Sequence, residues 1–371
     1  MGIKRVGRLK SIVLIILGII LAILLAVTIL LFIWSPGKVE KFVDDKGKVI
    51  ENSIAEKINV KINGLNQGMF IRGKNKDNPI LLFVHGGPIM PEYFLNSKYP
   101  TGLEDYFTVC WWEQPGVGLS YNSDISKEDL TVDAIIDDTI EVTNYLRKRF
   151  NQDKIYLLGH SWGSFIGIQA VYKNPELYSA YIGVGQITNQ SESEKLAYQY
   201  MLDKYSEDNN SKMTEKLMKY SITDSDEELL KYFKSSLRDS AMHELGIGTM
   251  HNMKSVISGI FMPVMQCREY TLKEKINIWR GKSYVRKNST LIEDYLFYDV
   301  PSSIKELEVP TYFISGAYDY TVNYGLTQEY YDSLNAPQKK FYLIDDAAHS
   351  PMFEKPSEFV EIMKNEVLLN K

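Results

Sequence analysis

The hydrophobic pattern opens with one unbroken block. Ile12 to Trp34, "IVLIILGIILAILLAVTILLFIW", holds 23 residues without a charge. As a helix it would run roughly 34 Å at ~1.5 Å per residue, enough to cross a hydrocarbon core of ~30 Å. A cleavable signal has an apolar core of only ~7–15 residues and a small-residue cleavage site, whereas this run ends in "FIWSPGK". A core helix is rarely apolar on every face. The expectation is an uncleaved N-terminal transmembrane helix.

Beyond it the period changes. Residues 35–75 are polar apart from "KINVKIN" and "GMFIRG", two runs around Gly64 that predict an antiparallel hairpin. Short apolar runs, "PILLFVHGGP", "YFTVCWWEQPGVG", "KIYLLGHS" and "YSAYIGVGQ", then read as strands. Between them, "TVDAIIDDTIEVTNYLRKRF" sets Val132, Ile135, Ile136, Ile140, Val142 and Leu146 at helical spacing, with acids early and bases late. "WGSFIGIQAVYKNP" predicts another helix, stopped by Pro175. This βαβ repetition predicts an α/β fold with a mainly parallel sheet and helices on both faces. From about Ile187 to Val300 the rhythm fails, and the pattern is helical without a buried strand. Alternation resumes with "VPTYFISGAYD", "GLTQEYYDSL", "KKFYLID" and "PSEFVEIMKNEVLL". The expected organisation is a tail and anchor over 1–34, a first core segment over 35–186, a helical cap over 187–300 and a second core segment over 301–371.

The net charge is −5, yet the first 34 residues carry Lys4, Arg5, Arg8 and Lys10 and no acid, so the body is more acidic than the whole. That excludes a typical nucleic-acid partner. Lys38, Lys41, Lys46 and Lys48 nearly balance the four bases before the span. The tighter packing of the preceding charges favours a cytoplasmic N-terminus and an extracytoplasmic body on a single-pass membrane anchor. Cys110 and Cys267 are too few for a disulfide scaffold and lack metal spacing. The five histidines, His85, His160, His243, His251 and His349, form no zinc-like cluster.

"LLGHSWGSFIGIQA" puts Ser161 between Gly159 and Gly163, after a strand and before a helix. G-x-S-x-G alone is a weak signal; strand, sharp turn and helix together describe a nucleophile elbow. The following helix aims N–H groups at any oxygen held there, and Trp162 N–H is the expected first oxyanion donor. A serine needs a base. His349 lies just past the last expected strand and Asp319 just past the one before, where parallel-sheet sites gather. Asp345 and Asp346 are alternatives to Asp319. His85 and His160 sit beside turns with no acid placed for them and read as structural; His243 and His251 read as surface or packing residues. "VHGGP" offers Gly87 N–H as the second oxyanion donor.

With these residues placed, the sequence resembles the α/β-hydrolase superfamily, and within it the proline iminopeptidase-like branch of serine peptidases. The carrying stretches are "HGGP" at 85–88, "WEQPGVGLS" at 112–120, "GHSWG" at 159–163, "SGAYDYTV" at 315–322 and "AAHSPMFEKPSEF" at 347–359. The resemblance implies a cap where the alternation fails and a metal-free, cofactor-free hydrolase. Departures bear on the substrate. Ile89 replaces the last glycine of HGGPG, and Glu113 and Pro115 stand at the acid and arginine positions of D-Q-R-G-x-G-x-S. The family also implies cap carboxylates for the substrate's α-ammonium, because a buried ammonium must be paired; Glu244 and Glu269 are the candidates. Tyr270, Trp279 and Tyr284 line a pocket or pack the cap. The expectation is an anchored aminopeptidase acting on short peptides, with an esterase or lipase-like hydrolase and a catalytically silent binding protein as rivals.

Overall fold

A computed structural model describes residues 2–369; Met1, Asn370 and Lys371, at the outer edges of the first and last expected segments, lie outside the described residues. The first helix, α1 (Gly2–Ile33), starts ten residues before the apolar block, because the Lys- and Arg-rich head is itself helix-compatible. Its apolar part, Ile12–Ile33, has a mean hydropathy of 3.4, and its most apolar stretch is not buried against any of the described residues.

One eight-stranded sheet carries the rest, in the order β1-β2-β4-β3-β5-β6-β7-β8. β1 (Ile54–Ile62) and β2 (Leu65–Gly73) form the expected hairpin. Its two turn residues, Asn63 and Gly64, both have positive φ, as the hairpin's twist demands. β2 pairs antiparallel with β4 (Thr108–Trp112). All remaining pairings, through β3 (Ile80–Val84), β5 (Ile155–His160), β6 (Tyr178–Val184), β7 (Thr311–Gly316) and β8 (Lys339–Ile344), are parallel. β3, β4, β5 and β7 are buried at every position, as strands covered on both faces must be.

The short helix α2 (Tyr93–Lys98) follows β3. α3 (Val132–Phe150) and α4 (Trp162–Lys173) cover one face of the sheet, where Leu82, Cys110, Leu157 and Phe313 point. Their sequence neighbours Leu81, Val109, Leu158 and Tyr312 point to the other face and meet Phe353, Phe359 and Met363 from the C-terminal helical stretch. Strand alternation thus makes two cores from one sheet.

Between β6 and β7 the chain leaves the sheet for a helical insertion, and no named strand interrupts it. It comprises α5 (Gln190–Glu207), α6 (Ser211–Leu217), α7 (Asp226–Phe233), α8 (Ser236–Leu245), α9 (Met262–Gln266), α10 (Leu272–Asn288), α11 (Leu291–Leu296) and α12 (Val300–Ser303). Asn189, Asn210, Ser225, Ser235 and Thr271 cap five of these helices through their side chains. The insertion buries its own cluster around Ala197, Met201, Leu229, Tyr232 and Met242.

Candidate active site

β5 ends at His160 and α4 begins at Trp162, so Ser161 alone makes the turn, at φ 55° and ψ −124°. Close packing forces this geometry. A Cβ on Gly163 would fall 1.9 Å from Val84 O, and one on Gly159 would fall 2.4 Å from Gly163 O. Ser161 N–H donates to Val184 O at 2.9 Å, pinning the elbow to β6. Trp162 N–H is the first of the helix's amides without an intrahelical acceptor.

Asp319 follows β7 and His349 follows β8. His349 Nδ1 lies 2.9 Å from Asp319 Oδ2, and both side chains are buried. Asp319 Oδ1 accepts from Val322 N–H at 2.9 Å, which fixes the carboxylate's rotation. With Nδ1–H committed to Asp319, the tautomer leaves Nε2 as a base. Gly185 directly follows the residue that holds Ser161, and a Cβ there would sit 3.0 Å from the His349 ring and 3.3 Å from Asp319. His349 and Asp319, from the loops after β8 and β7, are thus in contact beside Gly185, and Ser161 turns at the end of β5 with its N–H on the residue before Gly185. Asp345 and Asp346 remain exposed, and Asp346 pairs with Lys355 at 3.5 Å.

One expectation is corrected here. His160 does have an acid: Glu92 Oε1 lies 2.7 Å from its Nδ1, contributed by the loop after β3. His160 Nε2 donates to the carbonyl of His349 at 2.8 Å, and the two rings stand 4.8 Å apart. Burial opposes an imidazolium at His160, yet Glu92 and the His349 carbonyl outweigh it and raise its pKa. His85 is structural, as expected. Its burial lowers its pKa, Nδ1 donates to Gly86 O at 2.8 Å and Nε2 accepts from Gln114 N–H at 3.1 Å.

Gln114 is a site residue that the sequence reading missed. Its Nε2 donates to His85 O at 2.9 Å and its Oε1 accepts from Trp162 Nε1 at 2.8 Å. It thereby fastens the loop carrying Gly87 to the elbow. The available signal was its place inside "WEQPG", a stretch noted only for its resemblance. Gly87 itself adopts φ 132°, and a Cβ there would meet Ile89 N at 2.5 Å. Ile89 takes φ 78°, a conformation that costs a non-glycine residue ~1–3 kcal/mol. A cleft of about 180 Å³ opens beside Gly87–Met90, walled by Phe233, Lys282, Arg286 and Tyr295 of the insertion.

The insertion's candidate carboxylates are placed differently. Glu244 is exposed and accepts from Tyr205 OH at 3.1 Å. Glu269 is buried and accepts from Ser97 Oγ of α2 at 3.2 Å, beside the residues that follow the Gly87 loop. Tyr270 is fully buried against Phe70 and Tyr93 and donates to Glu113, so it packs the interior. Tyr284 OH donates to Ile125 O at 3.1 Å, and Trp279 lies half-buried beside Phe261. His243 is buried, with Thr249 at 3.1 Å from its Nε2, and His251 stacks on Tyr318. No group of three or more metal-ligating side chains occurs among the described residues.

An elbow serine, a carboxylate-bound histidine on the last strand's loop and a parallel sheet beneath them match a known class. Residues 79–356 match the alpha/beta hydrolase fold family, and the chain belongs to it. Its relatives include proteins named as aminopeptidases and proline iminopeptidases. The chain is 31% identical over 317 residues to the protein named probable aminopeptidase YbaC of Bacillus subtilis (strain 168), covering 84% of this chain and 96% of that one. It is 22% identical over 301 residues to a proline iminopeptidase of Heyndrickxia coagulans, covering 76% of this chain and 88% of that one. A solved proline iminopeptidase-related protein of Thermus thermophilus superposes with a TM-score of 0.61 at 18% identity, over 84% of this chain and 96% of that chain. The chain is a serine hydrolase of this fold.

Proposed function

We propose that the chain is a membrane-anchored aminopeptidase that cleaves N-terminal residues from short peptides through Ser161, His349 and Asp319. The observation that carries this reading is the 2.9 Å His349–Asp319 contact beside a strained serine elbow. Ser161 Oγ attacks the scissile carbonyl while His349 Nε2 takes its proton. The same imidazolium then protonates the leaving amine, and Asp319 holds the tautomer and stabilises the cation. Gly87 and Trp162 N–H groups receive the oxyanion; losing one such donor typically costs ~2.7–4 kcal/mol of transition-state stabilisation. Water, activated by His349, releases the acyl group from Ser161. No metal or cofactor enters the scheme.

The helical insertion serves as a cap over this site. Of the two cap carboxylates, Glu269 suits the substrate's α-ammonium better, because a buried carboxylate gains more from pairing than the exposed Glu244 does. α1 anchors the enzyme in a membrane, with the catalytic body on the extracytoplasmic side. Turnover of alanine and proline aminoacyl amides, compared with their N-blocked forms and with p-nitrophenyl esters, tests the substrate class. The free amines are expected to be preferred, with Glu269→Gln erasing that preference about tenfold or more, the loss of one charged pair. Equal turnover of blocked amides and esters, indifferent to Glu269→Gln, would select an esterase instead.

A further inference from the structure

The end of α1 is fastened to the helical insertion. Lys275 of α10 is buried, and its ammonium donates to Trp34 O at 2.6 Å, Ser35 Oγ at 2.9 Å and Met265 O at 2.8 Å. Gly37 N–H donates to Arg268 O at 3.0 Å, and Pro36 bridges Thr271 in antiparallel fashion. The carbonyl that ends the apolar span and the carbonyl of Met265 thus share one ammonium.

Met265 belongs to the apolar helical run Ile257–Gln266, which buries Gly259, Pro263 and Val264 and turns its other face outward. Ile257 is 69% exposed, Phe261 42% and the preceding Val256 40%. Ile257 and Phe261 are four residues apart and share a helix face. The Phe261 ring packs at 5.6 Å on Trp279, one turn beyond Lys275 in α10, and Ile276 beside Lys275 is 47% exposed. Exposed Lys254 and Arg268 flank the run at its two ends. Contiguous exposed apolar side chains mark a docking face.

We propose that this face, Val256 to Phe261 with Ile276, docks on the lipid bilayer that holds α1. The proposal rests on the anchor reading above. The occupant follows from continuity: the tether keeps the face next to the point where the span ends, which is the headgroup layer. The chemistry agrees, since aromatic and aliphatic side chains flanked by bases suit an interface carrying anionic lipid. The insertion also bears on the catalytic loops, with His349 N–H directed to Gly248 O at 3.3 Å and Tyr320 N–H to Ile247 O at 3.4 Å.

The test uses the full chain in vesicles of phosphatidylcholine and phosphatidylglycerol, with an environment-sensitive fluorophore on one introduced cysteine and doxyl-labelled lipid as quencher. Leu21→Cys reports the span, Ile257→Cys the proposed face, and Asp133→Cys, on exposed α3 surface, reports water. The expected result is blue-shifted emission and several-fold quenching at both 21 and 257, and neither at 133. Quenching at 21 with a water-like signal at 257 overturns the docking and leaves the anchor standing. A blue shift at 257 that lipid does not quench assigns the face to protein, such as a second copy, and also overturns it. Absence of quenching at 21 defeats the anchor reading and the docking with it.

Discussion

Glu92 and His160 stand behind the base that the mechanism uses. The His160 proton on Nε2 holds the His349 carbonyl, and Glu92 holds the other ring nitrogen. His160 is thus a positioning residue acting through the loop of His349. Its pKa is raised, so the pair's contribution to stability is fully present below 6.5 and is lost as pH rises through the higher folded value. Glu92→Gln keeps a hydrogen bond to Nδ1 but removes the charge. Its stability deficit against the parent chain, measured by denaturant midpoints, is expected to be widest under mildly acidic conditions and to shrink in alkali. Glu92→Ala leaves a buried donor unpaired and is expected to cost ~1–3 kcal/mol. A Glu92→Gln deficit that does not change with pH would show that His160 carries no charge in the folded chain. The sequence disclosed no such pairing, because α2, β4, α3 and most of β5 lie between Glu92 and His160, and only packing sets them together.

At the scale of elements, the pattern was legible wherever burial imposes a period. The hairpin around Gly64, the strands of the parallel sheet and the amphipathic α3 follow from apolar spacing, and the elbow follows from Gly159 and Gly163. What the pattern hid is how the elements are joined by polar groups. Gln114 ties the Gly87 loop to α4 through two hydrogen bonds, and nothing in its spacing announces them. Glu113 is similar: its buried carboxyl accepts from Leu119 N–H at 2.6 Å and from Tyr270 OH, joining the β4 loop to the insertion just before α10. Burial raises its pKa from 4.5 to about 8. Between those values the folded chain keeps a proton that the unfolded chain has released, so stability falls as pH rises. One such group contributes at most about 1.4 kcal/mol per pH unit. Glu113→Gln is expected to flatten that slope in urea unfolding measured across the window; an unchanged slope would place its source elsewhere.

For the whole molecule, chain order served better than local pattern. The contact between an aspartate after the seventh strand and a histidine after the eighth, and the turn at a serine after the fifth, were legible because parallel strands deliver their following loops to one edge of the sheet. In the helical insertion two carboxylates were left as alternatives, since helices without a sheet beneath them give no edge to count from; Glu244 is exposed and Glu269 buried. The proposed mechanism requires that His349 and Asp319 activate Ser161. Reaction of the detergent-solubilised full chain with a fluorophosphonate, followed by mass spectrometry of the peptides, measures this most directly. A single covalent adduct at Ser161, formed by the parent chain and lost or greatly slowed in His349→Ala and Asp319→Asn, is the predicted result. A parent chain left unlabelled at Ser161, or labelled there equally fast without His349, would contradict it.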